Sequence, residues 1–152
     1  MAFRLLVPRN LLEALIAQAL AEQPLECCGL LSGVREEAKA GGKPGESVGR
    51  VMRRYPLINV AASPREFLAN DRTLFEAHKD MRLRGLEMLT VYHSHPTSAP
   101  IPSRTDLERN WMGDEVACMI VSLAVSPSVV RVWWLGATEY REATWETIRN
   151  AT

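Results

Sequence analysis

Apolar residues recur along this chain at two spacings, one near 3.6 residues and one near 2, and their succession lays out helices and strands. Residues 3–7 read as a first strand. Leu11, Leu12, Leu15, Ile16 and Ala19 then recur at helical spacing and predict an amphipathic helix over 11–22. Pro8-Arg9-Asn10 reads as its entry, with Asn10 as a cap, and Pro24 ends it. Residues 27–34 form a buried strand around Gly29-Leu30-Leu31-Ser32-Gly33. Residues 36–47 mix charged side chains with glycines and a proline, the composition of a mobile surface loop. Strand character returns over 48–60, Ser63-Pro64 marks a turn, and 66–69 suggests a short strand.

A second long helix is expected from Asp71, a capping residue, to about Leu83. Its inner face would carry Leu74, Phe75, His78 and Met81, with Gly85 as the stop. Residues 87–95, EMLTVYHSH, form a strand whose far end carries two histidines. Residues 96–102 are a loop with three prolines, and Ser103 opens a short helix to about Trp111. Two apolar strands follow over 116–125 and 129–135, joined by Ser126-Pro127-Ser128. The segment 139–149 suggests strand, then helix. The fold class is α/β: a single domain over 1–152, built on a mixed sheet flanked by two long helices.

Composition narrows the function classes. At 152 residues with 47% apolar, the chain can bury one core, and 24% charged is an ordinary surface. Eighteen basic residues balance eighteen acidic ones, so a broad electrostatic attraction to nucleic acid is not expected. Arg50, Arg53 and Arg54 are the densest basic group and read most simply as a solvated strand edge. No apolar run approaches the roughly 18 residues that span a membrane, and no signal-peptide core follows the N-terminus, so the expected location is cytoplasmic. Three cysteines make an odd count, not a disulfide framework. Adjacent Cys27 and Cys28 on a strand would face opposite sides as buried thiols.

The chemistry concentrates in His93-Ser94-His95-Pro96 and, six residues on, Ser103-Arg104-Thr105-Asp106. Histidines at i and i+2 on a strand share a face and can reach one ion. Asp106, one turn into the next helix, can be folded back as a third ligand. Two imidazoles and one carboxylate leave the fourth position of a tetrahedral zinc open, the arrangement of a catalytic site. Ser103-x-x-Asp106 is also a capping box, and one carboxylate would have to serve both roles. The third histidine, His78, sits at a core or interface position of the second helix. The signatures His-Glu-x-x-His and Pro-Cys-x-x-Cys are absent, and a His-x-His barrel would need about 200 residues or more.

The motif His-x-His-Pro, five residues, Pro-Ser-x-x-Asp resembles the signature of the JAMM (MPN+) metalloprotease family, and Glu26-Cys27-Cys28-Gly29-Leu30-Leu31-Ser32-Gly33 is similar to that family's upstream segment. Asn59-Val60-Ala61 with Ser63-Pro64 and Phe67 resembles its prokaryotic branch. The resemblance implies an MPN/cytidine-deaminase-like fold, Zn2+ on His93, His95 and Asp106, and Glu26 as general acid/base. It also implies that Ser103 helps hold an oxyanion, a role its N-cap position rivals. Tyr92 should then face the core, and Trp111 and Tyr55 could line a groove or pack in the core. The implied reaction is zinc-dependent hydrolysis of a peptide or isopeptide bond at the C-terminal Gly-Gly tail of a ubiquitin-like or sulfur-carrier protein. A non-catalytic MPN scaffold and a broad-specificity metallopeptidase are the rival readings. A homodimer is among the assemblies the sequence allows.

Overall fold

The computed structural model describes residues 2–37, 47–110 and 113–150. In chain order these form β1 (Arg4–Pro8), α1 (Arg9–Glu22), β2 (Cys28–Glu36), β3 (Val48–Leu57), α2 (Asp71–Arg84), β4 (Glu87–His95), α3 (Arg104–Glu108), β5 (Ala117–Ser122), β6 (Val129–Leu135), β7 (Tyr140–Glu142) and β8 (Trp145–Ile148). A single 3-10 turn, Gly113–Glu115, precedes β5. The expected loop at 36–47 falls largely outside the described residues, and the short helix expected to about Trp111 ends at Glu108, with Arg109 as its C-cap.

The strands form one eight-stranded sheet in the order β7-β6-β5-β4-β2-β3-β1-β8. β1 pairs parallel with β3 and β8, β4 pairs parallel with β5, and the remaining neighbours are antiparallel. β7 and β8 stand at opposite ends of this order, yet only Ala143 and Thr144 separate them in the chain. The sheet therefore curls until its two ends meet, and the 140–148 segment is shared by both. Across the closure Phe3 meets Trp134 edge to face at 5.0 Å.

The two sheet faces bury separate clusters. Leu5, Val7, Cys27, Leu31, Leu89, Tyr92 and Met119 belong to the larger one, into which α1 packs Leu15 and Ala19. Cys28 and Leu30 point to the other face, where α2 lays Ala77 and Met81 over them. Adjacent Cys27 and Cys28 thus face opposite sides, as strand alternation requires, and both thiols are free and buried.

Several local expectations are corrected. Pro8 is the N-cap position of α1 and Asn10 lies inside the helix, its backbone N–H donating to the Asn150 side chain. Asn70, not Asp71, caps α2, accepting from the Thr73 N–H, while Gly85 closes it in the left-handed region at φ 66°. The buried stripe of α2 runs through Leu74, Ala77 and Met81; Phe75 and His78 lie about 100° further round and are exposed. Residues 145–148 are strand, not helix, because β1 supplies their backbone partners. Arg50, Arg53 and Arg54 are not an edge patch. β3 lies inside the sheet, and each guanidinium has its own partner: Glu36, Asp80, and the Gln18–Tyr92 pair respectively.

Candidate metal centre

β4 carries an irregularity that decides which side chains face the site. Opposite β2, Leu31 pairs with Thr90 and Ser32 with Met88, so β4 holds one extra residue at Leu89. This bulge shifts the alternation by one: Met88 and Val91 both lie on the α2 face, while Leu89 and Tyr92 both lie on the α1 face. His93 and His95 therefore share the α2 face, and Tyr92 is fully buried in the core, as expected.

Asp106 arrives from α3. His93 Nε2 lies 3.2 Å from Asp106 Oδ1, and His95 Nε2 lies 3.2 Å from Asp106 Oδ2. The two Nε2 atoms are themselves 3.2 Å apart. All three side chains are about 5% exposed or less. The proline-rich loop between them is held by three successive carbonyls: Ser122 Oγ donates to Ser98 O, His95 Nδ1 to Ala99 O and Trp133 Nε1 to Pro100 O.

These contacts fix the histidine tautomer. A carbonyl oxygen can only accept, so His95 Nδ1 carries the hydrogen in its 2.8 Å bond to Ala99. In the neutral ring His95 Nε2 then presents a lone pair toward the Asp106 carboxylate and the His93 ring. Lone pairs facing one another at 3.2 Å in a buried site need a proton or a cation between them. Burial alone would raise the Asp106 carboxyl, but His93, His95 and the Ser103 N–H hold it far below the usual carboxylate range. Burial likewise opposes charge on His95, and Asp106 overrides it and raises the imidazole. The three residues form a group that could hold a metal ion.

The capping box and the candidate ligand set share the Asp106 carboxylate. Asp106 Oδ2 accepts from the Ser103 N–H at 2.8 Å and leaves Oδ1 without a backbone bond. Ser103 Oγ in turn accepts from the Asp106 N–H at 3.1 Å, which uses a lone pair and leaves the hydroxyl hydrogen able to donate. The cap orients the carboxylate in the way outer hydrogen bonds orient metal ligands.

Glu26 precedes β2 on the same side. Ser94, between the histidines, points to the opposite face, where its Oγ accepts from the Cys27 N–H and its own N–H donates to Cys27 O. That pair fixes the start of β2 against the end of β4. Glu26 is 2% exposed, and its Oε1 has no hydrogen-bond partner among the described residues. Burial, with Asp106 and Glu66 adding to it and His95 opposing it, raises its carboxyl to about 8. The five residues singled out in the sequence thus come together.

Other participants were not singled out as site residues. Asn59 donates to the carbonyls of Glu26 and Glu66 and accepts from the N–H groups of Ala61 and Leu68, so one amide ties a 58–70 hairpin to Glu26. Phe67 on that hairpin stacks on His93 with ring centroids 4.8 Å apart. Tyr55, a candidate groove residue, instead packs beside the α2 cluster with its hydroxyl on Asp80. Trp111 lies outside the described residues.

A curled mixed sheet with a His-His-Asp group at the end of a central strand and a buried glutamate beside it defines an MPN-like α/β protein. The chain belongs to the family described as prokaryotic homologs of the JAB domain, which matches residues 8–136. A protein named probable TtuB-protein conjugate cleaving protease, from Thermus thermophilus, is 39% identical over 109 residues, 70% of this chain and 64% of that protein. A desampylase from Haloferax volcanii is 35% identical over 62% of each chain. A CysO-cysteine peptidase from Mycobacterium tuberculosis is 27% identical over 68% of this chain and 64% of its own. The matches thus span just under two thirds of these relatives' lengths. The solution structure of protein DSY2949 from Desulfitobacterium hafniense has a TM-score of 0.83 at 28% identity, covering 97% of this chain and 94% of that one.

Proposed function

We propose that this chain is a zinc-dependent hydrolase that cuts the peptide or isopeptide bond following the C-terminal Gly-Gly tail of a ubiquitin-like or sulfur-carrier protein. The observation that carries the reading is the convergence of three buried side chains: His93 Nε2 and His95 Nε2 lie 3.2 Å apart, and each lies 3.2 Å from a different oxygen of the Asp106 carboxylate. A tetrahedral zinc with bonds of about 2.0–2.1 Å spaces its ligand atoms by about 3.3 Å. The relatives named for cleaving TtuB conjugates, for desampylation and for releasing cysteine from CysO support the substrate class.

His93, His95 and Asp106 would hold the ion. When bound it would acidify a water and polarise the scissile carbonyl. Glu26, a buried carboxyl whose Oε1 has no hydrogen-bond partner among the described residues, would accept a proton from that water and return it. In the reaction the water oxygen bonds to the carbonyl carbon, the C–N bond breaks, and Glu26 passes the water's proton to the departing nitrogen. Ser103 would donate its free hydroxyl hydrogen to the developing oxyanion. All five residues come from one chain, so the reading does not require a homodimer. The free, buried cysteines suit a reducing compartment such as the cytoplasm.

The test is a carrier bearing a C-terminal Gly-Gly joined to an amine, incubated with the zinc-loaded protein. Release of carrier and amine is expected, and Glu26→Gln should keep zinc while lowering kcat by about 10²–10⁴. Intact carrier conjugates alongside cleaved unfolded peptide would instead make the protein a broad-specificity metallopeptidase.

A further inference from the structure

Between the 58–70 hairpin and the last turn of α3 lies a cleft of about 330 Å³ lined by Leu68, Glu108, Arg109 and Asn110. Its walls are the two elements that flank the ligands, since Phe67 of the hairpin stacks on His93 and α3 carries Asp106. Asn110 is committed through its amide to Leu135 O, and Glu108 through its carboxylate to Arg104 at 2.8 Å. Arg109 is not. Its side chain is 47% exposed, and its two contacts are long: 3.4 Å to Glu66 Oε2 and 3.5 Å to Phe67 O. Both lie at or beyond the outer edge of hydrogen bonding, and a guanidinium has five donors in a planar fork. The fork can therefore take a carboxylate at both teeth without losing a strong bond.

Its position matters as much as its capacity. Glu66, Arg109's partner, lies near enough to Glu26 to add to the field on that carboxyl. The nitrogen leaving in the hydrolysis above collects its proton at Glu26. When that nitrogen is the α-amine of a free amino acid, the α-carboxylate hangs two bonds from it, on the same side of the cut. When it is a lysine side chain of a folded protein, no carboxylate is there.

We propose that Arg109 is a specificity-determining residue that binds the free α-carboxylate of the leaving group, so that the site favours release of a single amino acid from its carrier over cleavage of a protein–protein isopeptide. The inference rests on the hydrolase reading. Glu66 holds the guanidinium over the cleft in the absence of substrate and yields it to the closer carboxylate.

The test uses two carrier conjugates that differ only at the leaving amino acid, one with a free carboxylate and one with that carboxylate as a primary amide. The zinc-loaded wild type should show kcat/KM at least tenfold higher for the carboxylate form, mostly through KM. Arg109→Ala should bring the ratio near one, and Arg109→Lys should fall between. Arg50→Ala, whose guanidinium pairs with Glu36 away from the cleft, should leave the ratio at the wild-type value. No wild-type preference, or an equal loss on both substrates in Arg109→Ala, would overturn the assignment. Calorimetric binding of both conjugates to zinc-loaded Glu26→Gln separates this from the hydrolase reading. An Arg109-dependent preference in binding with no wild-type turnover sinks hydrolysis and keeps carboxylate recognition; turnover without the preference does the reverse.

Discussion

Asp106 and Glu26 are both buried carboxyls beside His95, yet their environments drive them in opposite directions. Asp106 faces two imidazoles and a backbone N–H and stays ionised; burial, with Asp106 and Glu66 adding to it against His95, raises Glu26 to about 8. Such a split is how one site supplies both a fixed anion and a proton carrier. It has a pH consequence in the metal-free protein. Between the ordinary value of 4.5 and about 8, Glu26 ionises in the unfolded chain and not in the folded one. The unfolded state is thus favoured as pH rises through that window, and the stability present below it is lost above it. Glu26→Gln escapes this. Urea unfolding of the metal-free proteins should show the variant gaining about 2–4 kcal/mol on the wild type between pH 5 and pH 8; a constant gap would contradict the buried-carboxyl account.

At this scale the sequence was legible where ligand chemistry imposes a spacing. His93, His95 and Asp106 sit on one strand end and the following helix turn, so their grouping is read from spacing, while Glu26 and the oxyanion role of Ser103 entered only through resemblance. Asn59, Phe67 and the Ala99 carbonyl act through backbone bonds and ring stacking. The first two are long-range, and the resemblance that marked Asn59 and Phe67 did not say what they touch; the third closes a turn inside the proline-rich loop, whose conformation the spacing does not fix.

Among the elements, β4 does the positioning, and its bulge is what turns both histidines to the α2 face. Periodicity located the strand but could not reveal the extra residue, because the partner strand defines it. The same limit explains residues 145–148, read as helix from their own spacing and made strand by pairing with β1. The α2 stripe was misphased because Phe75 was assigned inward on hydrophobicity alone. β4 also depends on a close approach from β2. A Cβ on Gly29 would stand 2.1 Å from Tyr92 Cζ and Oη, and Tyr92 is fully buried with its hydroxyl donating to Gln18. Gly29→Ala must push Tyr92, and with it the turn of strand before His93. We expect a loss of about 3 kcal/mol, or about 10 °C in Tm, measured by thermal unfolding, together with weaker zinc binding. Unchanged zinc affinity in a destabilised variant would mean that the site is insulated from this packing.

For the molecule as a whole, the curled sheet explains how candidate site residues drawn from positions 26–106 are held together: both sheet ends are joined through β7 and β8, and each face carries its own core. The mixed sheet with two long helices was legible in the order of elements, and the closure was not, since it rests on the 140–148 segment pairing at both ends. Among the described residues no helix is long and apolar enough to cross a membrane. Because the folded chain preorganises the three ligands, zinc should bind it in preference to the unfolded chain. At a hundredfold excess over Kd it should add about 2.7 kcal/mol, visible as a Tm several degrees higher with zinc and reversed by a chelator.

The measurement that bears most directly on the account is zinc stoichiometry by calorimetric titration and metal analysis, run on the wild type, His95→Ala and Asp106→Ala. The account predicts one zinc per wild-type chain and none held stoichiometrically by either variant, with both variants still folded by circular dichroism. A wild type that binds no stoichiometric zinc, or an Asp106→Ala that binds it as well as the wild type, would contradict it.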